Sequence, residues 1–311
     1  MKNNNENRII ILAPNNISDI YIEALKFSFN VENIILVSDE RDNEYRDNLI
    51  NEINNDKNIS KVIFFDYCYI YHQLIQRISN KKDKFIIIKN AISEMNSSYI
   101  YNYIKYYLEY LDRGIIKKIA FLDPNFYLEK NDKLIGLKLD IPVEQQTQEY
   151  KNNFGIISYD FYEYHNFFNQ ASAIEKITDD SINIFSPCNI TKTFFNDFEI
   201  KYNSYDTLEE IINNSKVILY INFCYTDILY LLRCIDKNKV CFMGNFNYNE
   251  KYELLNNLLV ISSDDDINEI AQKTSITNDK KKLAQILKLQ KEFRQEYSDL
   301  SKKEIVRFLQ V

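Results

Sequence analysis

The residues able to do chemistry sit mostly at the ends of short apolar runs. Pro14, Asn15 and Asn16 close the run 8–14 (RIIILAP), Asp66 closes 61–66 (KVIFFD), Lys89 and Asn90 follow 85–88 (FIII), and Asp123 ends the run 117–123. Amides, carboxylates and an amine in such places can bind a polar ligand, and they can equally cap the next element. His72, within 67–73 (YCYIYHQ), reads as part of a helix start and has no partner at catalytic spacing. The five cysteines form no CxxC pair and have no histidine at ligand spacing, which argues against a structural zinc and for free, buried thiols. No Asp-x-Asp triplet closes a strand to hold Mg²⁺ or Mn²⁺ against a diphosphate, and Asp264-Asp265-Asp266 reads as a helix start. The loop after 8–14 lacks the glycines of a dinucleotide binder.

The elements that must position these residues follow from periodicity. In the first half, runs at 8–14, 33–39, 61–66, 85–89 and 117–123 alternate with amphipathic segments, the pattern of parallel strands covered on both faces. A polar segment with a proline, 141–153, interrupts the alternation. It resumes with runs at 154–158, 182–186, 199–202, 216–223, 240–243 and 258–262. Helices are expected over 206–214 and 264–272, each opened by Asp residues suited to capping, and one or two more after Asn278. The expected fold class is therefore α/β, with two Rossmann-like domains, 1–145 and 146–311, facing across a cleft at the carboxyl ends of both sheets.

Composition narrows the function. A formal net charge of -7 without a long Lys/Arg block disfavours nucleic acid as the main partner. The polar start MKNNNENR is unlike a secretory leader, so a cytoplasmic location is expected. The basic amphipathic stretch Lys280–Arg294 could touch an anionic membrane surface, or pack back on the protein. The many tyrosines, as over 99–111, stand at helical spacing and read as packing residues.

A resemblance adds to this reading. Gly155-Ile156-Ile157-Ser158, then His165-Asn166, then Asn169-Gln170-Ala171, followed by 182–187, 206–223 and 239–245, resemble the donor-binding half of retaining bacterial GT-B glycosyltransferases. The resemblance implies a metal-independent enzyme without cofactor that moves a sugar from a nucleotide-sugar to a surface glycan or glycoprotein acceptor in polysaccharide biosynthesis. It also implies a donor site built from His165, Asn166, Asn169, Gln170, Tyr225, Asp227 and Arg233, with Pro14, Asn15, Asn16, Lys89 and Asn90 on the acceptor side. Three positions depart from the family. His165 stands where a lysine would supply charge to the diphosphate, and Tyr225 and Arg233 stand where two glutamates would accept hydrogen bonds from sugar and ribose. Asp227 could turn toward the ligand or cap the helix that starts there. The departures leave a second reading open: a catalytically inactive GT-B-like protein that binds and stabilises a partner glycosyltransferase or its acceptor.

Overall fold

A strand whose every side chain is apolar can be satisfied only in a sheet covered on both faces, and that is where the apolar runs go. The computed structural model describes residues 8–38, 43–89, 98–122, 132–143, 152–157, 172, 176, 181–185, 201–220, 228–244, 260–261, 267–275 and 278–311. β1 (Arg8–Pro14), β2 (Ile34–Val37), β3 (Ile59–Phe65), β4 (Asp83–Ile88), β5 (Lys118–Phe121) and β6 (Leu134–Gly136) form a parallel sheet in the order β2-β1-β3-β4-β5-β6. α1 (Asp19–Phe29), α2 (Asn43–Asn55), α3 (Tyr71–Arg77) and α4 (Ser98–Asp112) lie between its first five strands in sequence. Leu49 and Ile53 of α2, Tyr71 and Leu74 of α3, and Tyr107 and Leu111 of α4 pack in one cluster with Leu12, Phe64 and Ile86 of the sheet.

The second sheet is also parallel throughout. β7 (Asn152–Ile157), β8 (Ile182–Phe185), β9 (Tyr202–Tyr205), β10 (Ser215–Tyr220), β11 (Val240–Gly244) and β12 (Val260–Ile261) are ordered β12-β11-β10-β7-β8-β9. Its described helices are α5 (Leu208–Asn214), α6 (Ile228–Asp236), α7 (Ile267–Ser275) and α8 (Lys280–Leu309). Two expectations shift. Of the strand expected at 199–202, residues 199 and 200 lie outside the described residues; the described strand is Tyr202–Tyr205, where YNSY pairs, among the described residues, with β8 alone, and an edge strand with one neighbour needs no continuous apolar run. α5 is capped by Thr207 and not by Asp206: the Thr207 hydroxyl accepts the Glu210 N–H and the Glu210 carboxylate accepts the Thr207 N–H, both at 3.2 Å.

The chain divides into two units, Met1–Pro142 with Ser298–Val311, and Val143–Tyr297. The closing helices expected with the second half are one helix, α8, whose last turns belong to the first unit. There Lys138 Nζ and its backbone N–H both donate to the Glu304 carboxylate, at 2.8 and 2.7 Å, and Ser301 Oγ donates to Lys138 O. Phe308, fully buried, sets its ring edge-on to Phe29 and Phe85.

Earlier turns of α8 complete the second unit. Arg294 Nε donates to Asp236 at 3.0 Å, with both side chains buried. Among the described residues β12 pairs with Met243 and Gly244, and none of them forms a strand beside the start of β11 on that side. Gln290, 1% exposed, takes its place: its Oε1 accepts the Cys241 N–H at 3.0 Å and its Nε2 donates to Lys239 O at 2.6 Å. Gln290→Leu would leave both backbone groups buried and unbonded, and is expected to cost on the order of 2–4 kcal/mol in urea unfolding, more than a surface substitution such as Lys288→Leu.

Candidate functional site

In an open parallel sheet a ligand crevice forms beyond the carboxyl ends of the strands, where the strand order reverses. In the first unit that point is between β1 and β3; in the second it is between β7 and β10.

On the first unit, Pro14 ends β1 in register with Val37 of β2 and is buried, while Asn15 and Asn16 are exposed. The Asn15 N–H donates to Val37 O at 3.0 Å, so the backbone continues the β1–β2 pairing for one residue and then opens. Asp66, just past β3, adopts a left-handed conformation at φ 58° with its N–H bonded to Ile87 O at 2.7 Å. Asp tolerates that region better than most residues, and the turn redirects the chain into the loop before α3. Lys89, past β4, places Nζ 4.7 Å from the centre of the Tyr21 ring on α1. Tyr21 in turn packs against Phe65 at the end of β3, with centroids 5.6 Å apart. Asn90 lies outside the described residues.

On the second unit, His165, Asn166, Asn169, Gln170, Tyr225 and Asp227 lie outside the described residues. Arg233 lies in the last turn of α6, 4% exposed. Gly155, the glycine of the strand that carried the resemblance, has a packing reason: a Cβ there would come within 2.5 Å of Ser215 Oγ on β10.

The structure also shows groups that sequence reading did not pair. His72 has a partner after all, Tyr110, 38 residues on: the Tyr110 hydroxyl is 2.5 Å from His72 Nδ1 and accepts from Gln76 Nε2 at 2.7 Å. Burial raises the Tyr110 pKa, which keeps the hydroxyl a donor. No spacing rule joins residues on α3 and α4 across that interval.

At the starts of the second sheet's strands lies a polar network. Asn183 donates to Ser215 Oγ at 2.8 Å and to Asn214 O at 2.9 Å. Lys239 Nζ donates to Ser215 O at 2.5 Å, and Lys237 Nζ to Glu209 and Asn213 at 2.5 and 2.6 Å. Burial pulls the Lys239 amine down to about 8, with Cys234 on α6 opposing the shift. Burial likewise pushes the neighbouring Cys241 thiol up, so the thiol stays protonated and unreactive. Among the described residues no group of three or more His, Cys, Asp or Glu is placed to hold a metal ion. No helix among them is long and apolar enough to cross a membrane. The apolar positions of the basic stretch, Leu283, Ile286 and Leu287, pack on the core of the second unit.

The lowered Lys239 pKa has a sign that can be measured. Below pH about 8 the amine is charged in folded and unfolded chains alike. Between about 8 and the ordinary 10.5 the folded chain releases its proton first, so stability rises with pH across that window, by about 3 kcal/mol at most. The urea stability of Lys239→Met, followed from pH 7 to 10, is expected to lack that rise when subtracted from the parent protein.

No protein-family model matches the chain, and no curated protein matches it in sequence. Solved structures do. A glycosyltransferase from Rickettsia africae is 12% identical with a TM-score of 0.59, over 96% of each chain. TarM is 11% identical with a TM-score of 0.59 over 85% of this chain, which spans 57% of the TarM chain. A UDP-GlcNAc 2-epimerase from Methanocaldococcus jannaschii is 12% identical with a TM-score of 0.52, over 88% of this chain and 93% of that one. At such identities the likeness shows the fold: the chain has the two-domain, Rossmann-like GT-B fold.

Proposed function

We propose that the protein is a glycosyltransferase of the retaining, metal-independent type, taking a sugar from a nucleotide-sugar and passing it to a glycan or glycoprotein acceptor of surface polysaccharide assembly, in the cytoplasm. The observation that carries the reading is the all-parallel pair of sheets aligned along nearly the whole length of a GT-B glycosyltransferase. The sequence resemblance over 153–245 supports it, since it follows the same elements, β7 through β11, in order. Fold by itself hosts several chemistries, and an epimerase shares this one. A second reading is favoured by a specific observation: Tyr225 and Arg233 replace both carboxylates and His165 replaces the lysine, which suits a silent GT-B-like protein that stabilises a partner transferase.

A panel of nucleotide diphosphates and nucleotide-sugars, read by thermal shift and then by product analysis, separates these readings. Selective stabilisation by one nucleotide, with sugar transferred to an acceptor and turnover unaffected by a chelator, is expected for the transferase. Epimerised donor without transfer would replace it with the epimerase reading, and no nucleotide response would favour the silent partner.

Arg233 is tested on the same footing. Arg233→Ala and the volume-filling Arg233→Met, each first shown to be folded, are expected to weaken nucleotide affinity by roughly 1.5–3 kcal/mol, the value of a charged hydrogen bond. Unchanged affinity by isothermal titration removes Arg233 from the donor site.

A further inference from the structure

We propose that the strand-end crevice of the first unit binds its ligand through an anionic group, a carboxylate or a phosphate, with Lys89 as the counter-charge. The identity of that ligand as an acceptor rests on the transferase reading; the binding chemistry comes from the unit itself.

The strand order reverses between β1 and β3, so the loops after these two strands leave toward opposite faces and an opening remains at their carboxyl ends. Lys89 follows β4, which stands on the far side of β3, roughly 9–10 Å from β1. Its Nζ nonetheless lies 4.7 Å from the centre of Tyr21, on the helix that follows β1. The amine is thus carried across the end of β3 to the opening. Tyr21 is itself held, 3% exposed and packed on Phe65, so the ring fixes where the amine rests.

The contact positions the charge without neutralising it. A ring face attracts a cation weakly, by about 0.5–1 kcal/mol at exposed sites, and Lys89 makes no hydrogen bond or ion pair with any described residue. The exposed side chains of Asn15 and Asn16 make none either. Asp66, the carboxylate at the end of β3, is engaged in interactions of its own. Other lysines of the same unit behave differently: Lys82 Nζ donates to Asp56 O and Ile59 O at 2.5 and 2.7 Å, and Lys84 Nζ to Asn80 Oδ1 at 3.3 Å. Lys89 is therefore a positioned cation that no carboxylate among the described residues pairs. A carboxylate or phosphate supplies the opposite charge and accepts a charge-assisted hydrogen bond from the amine; a neutral sugar supplies only hydroxyls.

The test uses the full chain, titrated at constant ionic strength with inorganic phosphate, glucuronate and glucose, with thermal stability as the readout. Phosphate and glucuronate distinguish the two anion types, and glucose is the neutral control. At least one anion is expected to stabilise the protein where glucose does not. Lys89→Ala is expected to weaken that anion roughly ten-fold or more, and Lys89→Arg to keep it. Glucose equal to both anions, no response to any of the three, or an anion response undiminished in Lys89→Ala would overturn the proposal. The nucleotide panel on the parent protein is independent: its failure beside a Lys89-dependent anion response sinks the transferase reading alone, and the reverse pattern sinks this one alone.

Discussion

A parallel strand covered on both faces leaves polar side chains room only at its two ends, and the described residues use the two ends differently. Several polar groups at strand starts are buried and bonded. Asn183, Ser215 and Lys84 are fully buried in the first or second residue of β8, β10 and β4, and Lys239 directly precedes β11 at 1% exposure. Each has a named partner on the protein. At the carboxyl ends of the first sheet, Asn15, Asn16 and Lys89 are accessible and their side-chain polar atoms make no hydrogen bond to the described residues. These buried starts hold the sheet, and the proposed ligand would meet the opposite, exposed ends.

The cost of that division falls on the buried amines. Desolvation lowers the pKa of Lys84 and of Lys239, so in each unit a lysine is held where its charged form is disfavoured. In the second unit the reason is traceable. Gln290 of α8 completes the backbone bonding at the start of β11, and Lys239 links it to β10 through Ser215 O. The helix that supplies Gln290 runs on to supply Glu304, Ser301 and Phe308 to the first unit. One helix thus serves both units, and its sequence carries amphipathic demands from both.

The sheets were legible because the signal for a buried parallel strand is local. Runs such as Arg8–Pro14 and Val240–Gly244 contain it whole. β6 was not legible: Leu-Ile-Gly is too short a run to stand out, and among the described residues it pairs with β5 alone. The cap of α5 shows a finer limit, since Asp206 and Thr207 are both good caps and only the reciprocal Glu210 contact decides between them. Lys89 could be singled out as a strand end, yet its contact with Tyr21 joins residues far apart in sequence. The same holds for His72 with Tyr110 and for Gln290 with Lys239. Such pairs depend on how helices lie over sheets, which periodicity does not encode.

The resemblance sets Arg233 where a glutamate would stand, and that difference bears on how a donor would be held. Arg233 stands five residues into α6 from Ile228, about 7.5 Å along the axis. A carboxylate in that place offers only acceptors, suited to the hydroxyls of a ribose; a guanidinium offers only donors, suited to phosphate oxygens. The same position therefore cannot recognise the same part of a nucleotide-sugar after the change. On the transferase reading, either the diphosphate would take the place of the ribose nearest α6 or no donor would be held there. The surrounding elements do not decide between these outcomes. Gly155 is required by its contact with Ser215, and Gln290 is required by the edge of β11, whether or not a nucleotide ever binds.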